Sequence, residues 1–515
     1  MKYFNTAGPV RPEDHYILDI LGRINLEEIL MLIEQKKYFI LHAPRQTGKT
    51  SSLLALRDYL NKQGKYHCLY VNVEDAQTAR EDVGRGIKTI VTSLARQVRI
   101  SHNNLVDKFP DYLNLQNQIQ PDDLLNEIIS RFSMNLDKPL ILFIDEIDAL
   151  VGDTLISVLR QLRSGYTNRP NGFPQTVILC GVRDVQDYRI HSSKEKTIIT
   201  GGSAFNIKSK SIMLGNFDKE DIKKLYSEHT KETGQKFEND VYDYVWELTE
   251  GQPWLVNALA YECCFELEKN RTSPITKNLI ETAKENMILR RDTHIDILID
   301  KLSEDRVQKV IEPILYSEEE TENLKLDDLK YVEDLGLIKK KNKYYVISNA
   351  IYREIIPREL VYTTQHTMSE EPLWYIENNK LQLSKLLIRF QTFYRENSEV
   401  WLDKFAYKEA GPHLLLMAFL QRIINGGGTL HREYGLGMRR IDLMIEFGGE
   451  KFCIETKVFR NQKTKEDGLK QLQDYVDKCG AKEGHLIIFD RKSEKKWEEK
   501  IYNETINDKI KVWGM

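Results

Sequence analysis

Between residues 26 and 182, short continuous apolar runs alternate with stretches whose apolar positions recur at helical spacing. The runs at 38–41, 68–73, 140–144 and 176–182 read as strands, and unbroken apolarity is what strands covered on both faces require. Strands and helices in this alternation predict βαβ units around a parallel sheet, a doubly wound α/β domain. Past residue 202 the strand signal fades. The segments 219–233 and 240–267 carry helical spacing and predict a helical lid. Further on, 326–335 reads as a helix, followed by Gly336-Leu337-Ile338, a basic turn at 339–343 and a strand at 344–347. A helix followed by a short hairpin is the profile of a winged helix.

Residues 361–371, rich in Thr, Ser and Glu, make a linker. Helices are expected from about 375 to 424, until Gly426-Gly427-Gly428 breaks the pattern and a last α/β domain begins. The expected division is therefore 1–202 for the α/β core, 203–294 for the lid, 295–362 for the winged helix, 363–399 for linker and helices, and 400–515 for the final domain. A chain of 515 residues is too long for one core, so several units are required. The net charge of -4 gives no global basic excess, so any nucleic-acid surface must be local. The six cysteines form neither a C-x-x-C pair nor a zinc spacing and read as buried free thiols of a reducing, cytoplasmic compartment. Pro9, Pro12, Glu13 and Asp14 interrupt any signal-peptide core, and no apolar run is long enough to span a bilayer.

The segment Ala43-Pro44-Arg45-Gln46-Thr47-Gly48-Lys49-Thr50 follows a strand and opens a helix, the setting of a phosphate-binding loop. Gly48 admits close approach of the phosphates, and successive N–H groups at the helix start favour the anion. Lys49 reaches the β and γ phosphates, and Thr50 offers its hydroxyl to magnesium. Ala43 stands where a glycine is usual and must find an allowed conformation that glycine reaches freely. The buried strand 140–144 ends in Asp145-Glu146, placing one carboxylate to assist magnesium and one to orient the attacking water. The strand 176–182 ends in Arg183-Asp184, where Arg183 is a candidate γ-phosphate sensor and an ion pair with Asp184 is the structural alternative. Pro253 in Glu250-Gly251-Gln252-Pro253-Trp254 suits the first turn of a helix, and Trp254 reads as core.

Near the C-terminal end, residues 440–447 and 450–458 flank Gly448-Gly449, a favoured two-residue hairpin loop. With Phe447 facing Glu450, Asp442 comes directly across from Glu455, and Lys457 shares their face. The other face collects Ile441, Leu443, Ile445, Phe447, Phe452, Ile454 and Val458 as core. Directly opposed carboxylates repel, and a divalent cation between them removes the conflict. Magnesium held by Asp442 and Glu455, with Lys457 beside it, is the chemistry of phosphodiester hydrolysis. The structural alternative is a solvated hairpin face in which Glu455 pairs with Lys457 or Arg440.

Two resemblances follow from these motifs. Over residues 1–360 the chain resembles the STAND-like branch of AAA+ ATPases, on A-P-R-Q-T-G-K-T, I-L-F-I-D-E-I-D, G-Q-P-W and the following winged helix. That likeness implies ATP with Mg²⁺ as cofactors, bound by residues 43 and 45–50 with Asp145, and Glu146 as the catalytic acid. It also implies nucleotide-switched conformations, a homo-oligomer, Pro253 near the nucleotide, and a lead-in at Gly8-Pro9-Val10-Arg11-Pro12 that wraps the adenine. Over residues 400–515, D followed by E-x-K resembles the PD-(D/E)XK restriction-like nucleases, with Ile441 in place of the usual proline. That likeness implies a third metal ligand, Glu409 or alternatively Glu433, and a helix carrying Gln471 and Tyr475, with Gln471 in a catalytic role. Together they imply an ATP-regulated nuclease acting on DNA, with RNA open, in prokaryotic defence against mobile elements. The rival reading is an ATP-dependent DNA-binding or scaffold protein whose nuclease fold no longer cuts.

Overall fold

The computed structural model describes residues 1–184, 189–192, 197–200, 205–316, 324–360, 375–378, 380–402, 411–420, 428–436, 439–459, 461–490 and 495–515. The chain divides into two compact units, Met1–His294 with Lys330–Leu337, and Ile295–Leu329 with Ile338–Met515.

In the first unit, β1 (Tyr38–His42), β2 (His67–Asn72), β3 (Leu140–Asp145), β4 (Thr176–Gly181) and β5 (Lys208–Met213) build a five-stranded sheet in the order β2-β3-β4-β1-β5. Every pairing in it is parallel. The four apolar runs became β1 to β4, three of them inner and β2 at one edge. The fifth strand was missed because its sequence, Lys-Ser-Lys-Ser-Ile-Met, is polar and largely uncovered; it lies at the edge, paired only with β1. Continuous apolarity identifies only strands covered on both faces. Here Tyr38, Leu69, Leu142 and Leu179 pack on one side with Ile87, Ile128 and Leu159. Phe39, Cys68, Phe143 and Ile178 pack on the other with Leu53 and Leu56 of α1 (Lys49–Gln63). Phe143 is fully buried at the centre, so its truncation to alanine would cost about 3–5 kcal/mol.

The lid begins with α2 (Lys219–Thr233), opened by a capping box between Asp218 and Asp221 and closed by Gly234 in the left-handed region. The expected helical stretch 240–267 is two helices, Asn239–Thr249 and α3 (Pro253–Tyr261), the latter running into a π turn at Glu262–Leu267. The break falls where Glu250 and Gly251 have φ of 48° and 71°. A Cβ on Gly251 would stand 1.9 Å from the carbonyl oxygen of Phe217, so only glycine fits. Pro253 occupies the first helical turn as its fixed φ favours.

The helix α4 (Leu326–Asp334) precedes the antiparallel hairpin Ile338–Lys341 and Tyr344–Ile347. The expected basic turn is mostly strand, and the bend itself is Asn342-Lys343, with Asn342 at φ 58°. The linker 361–371 lies outside the described residues. At 375, where a helix was expected, a small hairpin pairs Ile376–Glu377 with Lys380–Leu381. Then follow α5 (Leu383–Leu402) and α6 (Gly411–Leu420).

The last domain is a six-stranded mixed sheet of β6 (Thr429–Leu436), β7 (Arg439–Phe447), β8 (Glu450–Val458), β9 (Glu483–Phe489), β10 (Tyr502–Thr505) and β11 (Ile510–Gly514), in the order β6-β7-β8-β9-β11-β10. The helix α7 (Gln462–Cys479) links β8 to its parallel neighbour β9. Gly448 and Gly449 both have positive φ, the two-residue turn anticipated. The register is also the one anticipated, with Phe447 facing Glu450 and Leu443 facing Ile454. One expectation needs correction: both faces are covered. Leu443, Ile445, Phe452 and Ile454 pack against α5 and α6, while Met444 and Cys453, on the face of the acidic residues, pack against Leu472, Tyr475 and Val476 of α7.

Candidate active sites

The loop from β1 to α1 shows why an alanine is tolerated in it. Ala43 is buried and is not among the left-handed residues; those positions fall on Gln46, φ 58°, and Gly48, φ 93°. A Cβ on Gly48 would lie 3.0 Å from Nη1 of Arg23. The conformational demand has moved along the loop, so the departure at Ala43 carries no strain. Lys49 Nζ donates to the carbonyls of Ala43 at 2.9 Å and Pro44 at 3.0 Å, and Thr47 Oγ1 donates to Pro44 at 2.8 Å. These are neutral acceptors, weaker partners for an ammonium than phosphate oxygens. Arg45 projects outward, exposed.

Asp145 is fully buried. Its Oδ2 accepts from Thr50 Oγ1 at 2.7 Å and from the hydroxyl of Tyr70 at 2.9 Å, and its Oδ1 accepts from the Glu146 amide at 3.0 Å. Thr50 and Asp145 thus meet across 95 residues of sequence, the geometry a magnesium-binding pair needs. Glu146 has φ 56°, an uncommon conformation for a non-glycine residue, at the end of the strand. Burial pushes its carboxyl up, Asp148 adds to this, and Lys49 opposes it.

Beside the loop a cavity opens, lined by Gly8, Val10, Gly48, Pro253 and Trp254. The lead-in strap is held there by Val10 N–H to Ser51 Oγ at 3.1 Å and by Trp254 Nε1 to the Thr6 carbonyl at 2.8 Å. Pro253 and residues 8 and 10 therefore stand around one hollow with the phosphate loop. Sequence reasoning missed Arg23 in this wall. Its Nη2 donates to Thr47 at 3.1 Å and Gly215 at 2.9 Å, its guanidinium lies over Phe217, and desolvation lowers its pKa to about 10. It remains charged. No local spacing marks it, because 24 residues separate it from Thr47. Tyr70 was equally invisible, an aromatic residue in a core strand. Arg183 pairs with Asp334 at 3.0 Å and lies over the Tyr331 ring, and Asp184, its partner in the structural alternative, pairs with Lys208.

In the last domain the paired ladder between β7 and β8 ends at Leu443 and Ile454, and Asp442 comes one step beyond. There its Oδ2 accepts from both the amide and the hydroxyl of Thr456, each at 2.8 Å. His413 Nδ1 on α6 lies 3.1 Å from that hydroxyl. Glu455 is 2% exposed, and its Oε1 accepts from Lys457 Nζ at 2.7 Å. Its Oε2 is buried with no hydrogen-bond partner among the described residues. Burial, then the charge of Asp442, raises the Glu455 pKa to about 7, with Lys457 opposing. Gly468 lets α7 lie close on Leu486 of β9; a Cβ there would meet Leu486 Cδ1 at 2.8 Å. The alternative pairing of Glu455 with Lys457 is thus present, with the Glu455 side chain 3% and that of Lys457 28% exposed.

Gln471 sits half-buried on α7, and Tyr475, four residues on, packs in the apolar cluster. Glu409 lies outside the described residues, as does the side chain of Glu433 in β6. Among the described residues no group of three or more His, Cys, Asp or Glu side chains is arranged to hold a metal. The orphaned oxygen of Glu455 is the one feature there that fits a cation. Thr456 escaped the sequence reading because the D, E-x-K pattern treats the residue between as a spacer, and His413 because 43 residues separate it from Thr456.

A five-stranded parallel sheet, a phosphate-binding loop opening a helix, and Thr50 joined to a strand-end aspartate define a P-loop ATPase. The chain belongs to the AAA-like domain family, whose model matches residues 23–357. Among solved structures it is similar to a Walker-type ATPase of Pyrococcus abyssi, at 14% identity and TM-score 0.48, covering 68% of this chain and 99% of that one. It is also similar to Cdc6p from Pyrobaculum aerophilum, at 13% identity and TM-score 0.37, covering 67% and 95%. A third is domain III of the Thermotoga maritima replication initiation protein DnaA, at 14% identity and TM-score 0.33, covering 54% and 98%. No curated protein matches the chain in sequence. Among the described residues no helix is long and apolar enough to cross a membrane.

Proposed function

We propose that the chain is a nucleotide-regulated nuclease, in which the AAA-like ATPase governs magnesium-dependent cleavage of DNA by the C-terminal domain. The observation that carries the second half is Glu455, a buried carboxylate with one oxygen on Lys457 and the other unpartnered. A buried carboxylate oxygen without a donor is costly unless a proton or cation meets it. Asp442 and Glu455 would hold the ion, with Glu433 or Glu409 as a third ligand. A bound Mg²⁺ there supplies charge for the scissile phosphate and a more acidic water. Thr456 fixes Asp442 through two donors, and Lys457 stands beside Glu455 to offset charge on the phosphate. Gln471 would contact the substrate or water from α7.

On the ATPase side, residues 45–50 and Ala43 would cradle the triphosphate, Lys49 exchanging its loop carbonyls for phosphate oxygens. Thr50 and Asp145 would serve the magnesium, Glu146 the water, and the cavity beside Pro253 and Gly8 the base. Arg183 would sense the γ-phosphate by leaving Asp334 for it. A winged helix built on α4 and the 338–347 hairpin, a STAND-like switch, a homo-oligomer and a role in defence against mobile elements complete the proposal.

The test is cleavage of single- and double-stranded DNA and RNA by the purified chain with Mg²⁺, with and without ATP. Metal-dependent cutting of DNA that is lost in Lys457→Ala and altered in Lys49→Ala is the expected result. Cleavage unaffected by Lys457→Ala overturns the nuclease assignment, and cleavage unchanged by Lys49→Ala overturns nucleotide control. If calorimetry finds no Mg²⁺ or Mn²⁺ binding that depends on Asp442 and Glu455, the non-cleaving DNA-binding reading takes its place.

A further inference from the structure

In β8, two residues before Glu455, the Sγ of Cys453 lies 3.2 Å from the Sγ of Cys479. Cys479 is the last residue of α7, and Gly480 turns the chain away in the left-handed region. A disulfide needs its sulfurs about 2.05 Å apart, so closing this pair asks for an approach of about 1.2 Å. The end of a helix, freed by a glycine, can supply that more readily than two strands locked in one sheet. Accessibility differs within the pair. Cys68, Cys180, Cys263, Cys264 and Cys453 are buried, and Cys479 is half-exposed. One thiol thus faces an oxidant, while its partner is shielded from everything except the first.

We propose that Cys453 and Cys479 are a reversible dithiol–disulfide site, which oxidation converts into a covalent staple between α7 and β8. The oxidant class is a low-molecular-weight disulfide, with glutathione disulfide as its simplest member. The Cys479 thiolate attacks one sulfur of that disulfide, the S–S bond breaks, and one glutathione leaves as its thiolate. The departing glutathione thiolate takes the Cys453 proton, and Cys453 then attacks Sγ of Cys479 and displaces the second glutathione as its thiolate. The protein loses two hydrogens and the glutathione disulfide gains two electrons. The spacing of 26 residues hides the pair from any reading that looks for C-x-x-C.

The staple would pin the helix carrying Gln471 to the strand carrying Glu455; that consequence for catalysis rests on the nuclease reading, whereas the bond itself does not. The experiment is incubation of the full chain with glutathione disulfide, followed by thiol capping and peptide mass spectrometry. A cross-linked peptide pair holding Cys453 and Cys479, with little glutathione left on Cys479, is expected. Cys453→Ser should instead trap glutathione on Cys479, and Cys479→Ser should show neither product. Wild-type protein that keeps glutathione on Cys479 without cross-linking, or whose six thiols all remain capped, overturns the proposal. Because the readout is covalent, a failure of cleavage in the nuclease assay leaves this result untouched.

Discussion

Both candidate sites of this chain set a carboxylate at or near a strand end, and they differ in how completely that carboxylate is satisfied without a ligand. Asp145 takes hydrogen bonds from Thr50, Tyr70 and the Glu146 amide, and Lys49 is parked on two loop carbonyls. Glu455 has one charged partner and one orphaned oxygen. Buried polar groups that are fully paired rigidify a site, while a half-paired one leaves free energy for a ligand to claim. The first site is therefore paired within itself. The second carries an imbalance that a proton or a cation resolves.

The largest effect should come from breaking the first site at Glu146. Glu146→Gln keeps the volume but removes the acid–base function, so ATP hydrolysis should fall by about 10²–10⁴-fold while nucleotide binding persists. Steady-state hydrolysis and a binding titration check both halves. Hydrolysis that survives the change would mean the left-handed turn at Glu146 serves only to end β3.

A smaller effect, and a sharper contrast, comes from titrating the second site in metal-free buffer. The Glu455 pKa is raised from 4.5 to about 7, so the folded state holds this proton more tightly than the unfolded chain does. The associated stability is fully present below pH 4.5 and is lost as the pH rises through about 7. The swing is about 3 kcal/mol. Urea midpoints across that range, followed by hydrogen exchange in the peptides covering β8 and α7, should fall in the wild type and stay level in Glu455→Gln. A level wild type would show that the orphaned oxygen finds a donor, and the contrast between the sites would close.

What the sequence disclosed follows the same division. The phosphate loop and the strand ending in Asp145-Glu146 were legible because each is a contiguous motif between elements with strong apolar patterning. The hairpin register was legible because Gly448-Gly449 fixes it by turn geometry. Arg23 and Tyr70 were not, since their roles arise only when distant strands and turns are folded together. The same holds for Thr456, whose two bonds to Asp442 form only once β7 and β8 lie side by side. β5 was hidden by its polarity, and the cover of α7 over the acidic face was hidden because a hairpin alone says nothing about what packs on it.

The smallest effect tests how self-contained the first site is. Arg183 and Asp334 are about a tenth exposed, at 13% and 10% of their side-chain surface, and the eight-residue segment that carries Asp334 belongs to the ATPase unit although the chain on both sides of it does not. In that segment Gly336, at φ 79°, admits Pro44 of the phosphate loop so closely that a Cβ would stand 2.8 Å away. If a γ-phosphate competes with Asp334 for Arg183, then Asp334→Asn, which keeps the shape but drops the charge, should favour ATP over ADP. Removing the Asp334 charge takes one acceptor from the Arg183 guanidinium, and a γ-phosphate would supply another. A shift of about 1 kcal/mol, roughly fivefold in the ratio of ATP to ADP affinity, is the scale of such a coupling. Competition titrations with the two nucleotides measure it. An unchanged ratio together with lowered stability would make the ion pair a structural tie, and the γ-phosphate would then have to be read by Lys49 alone.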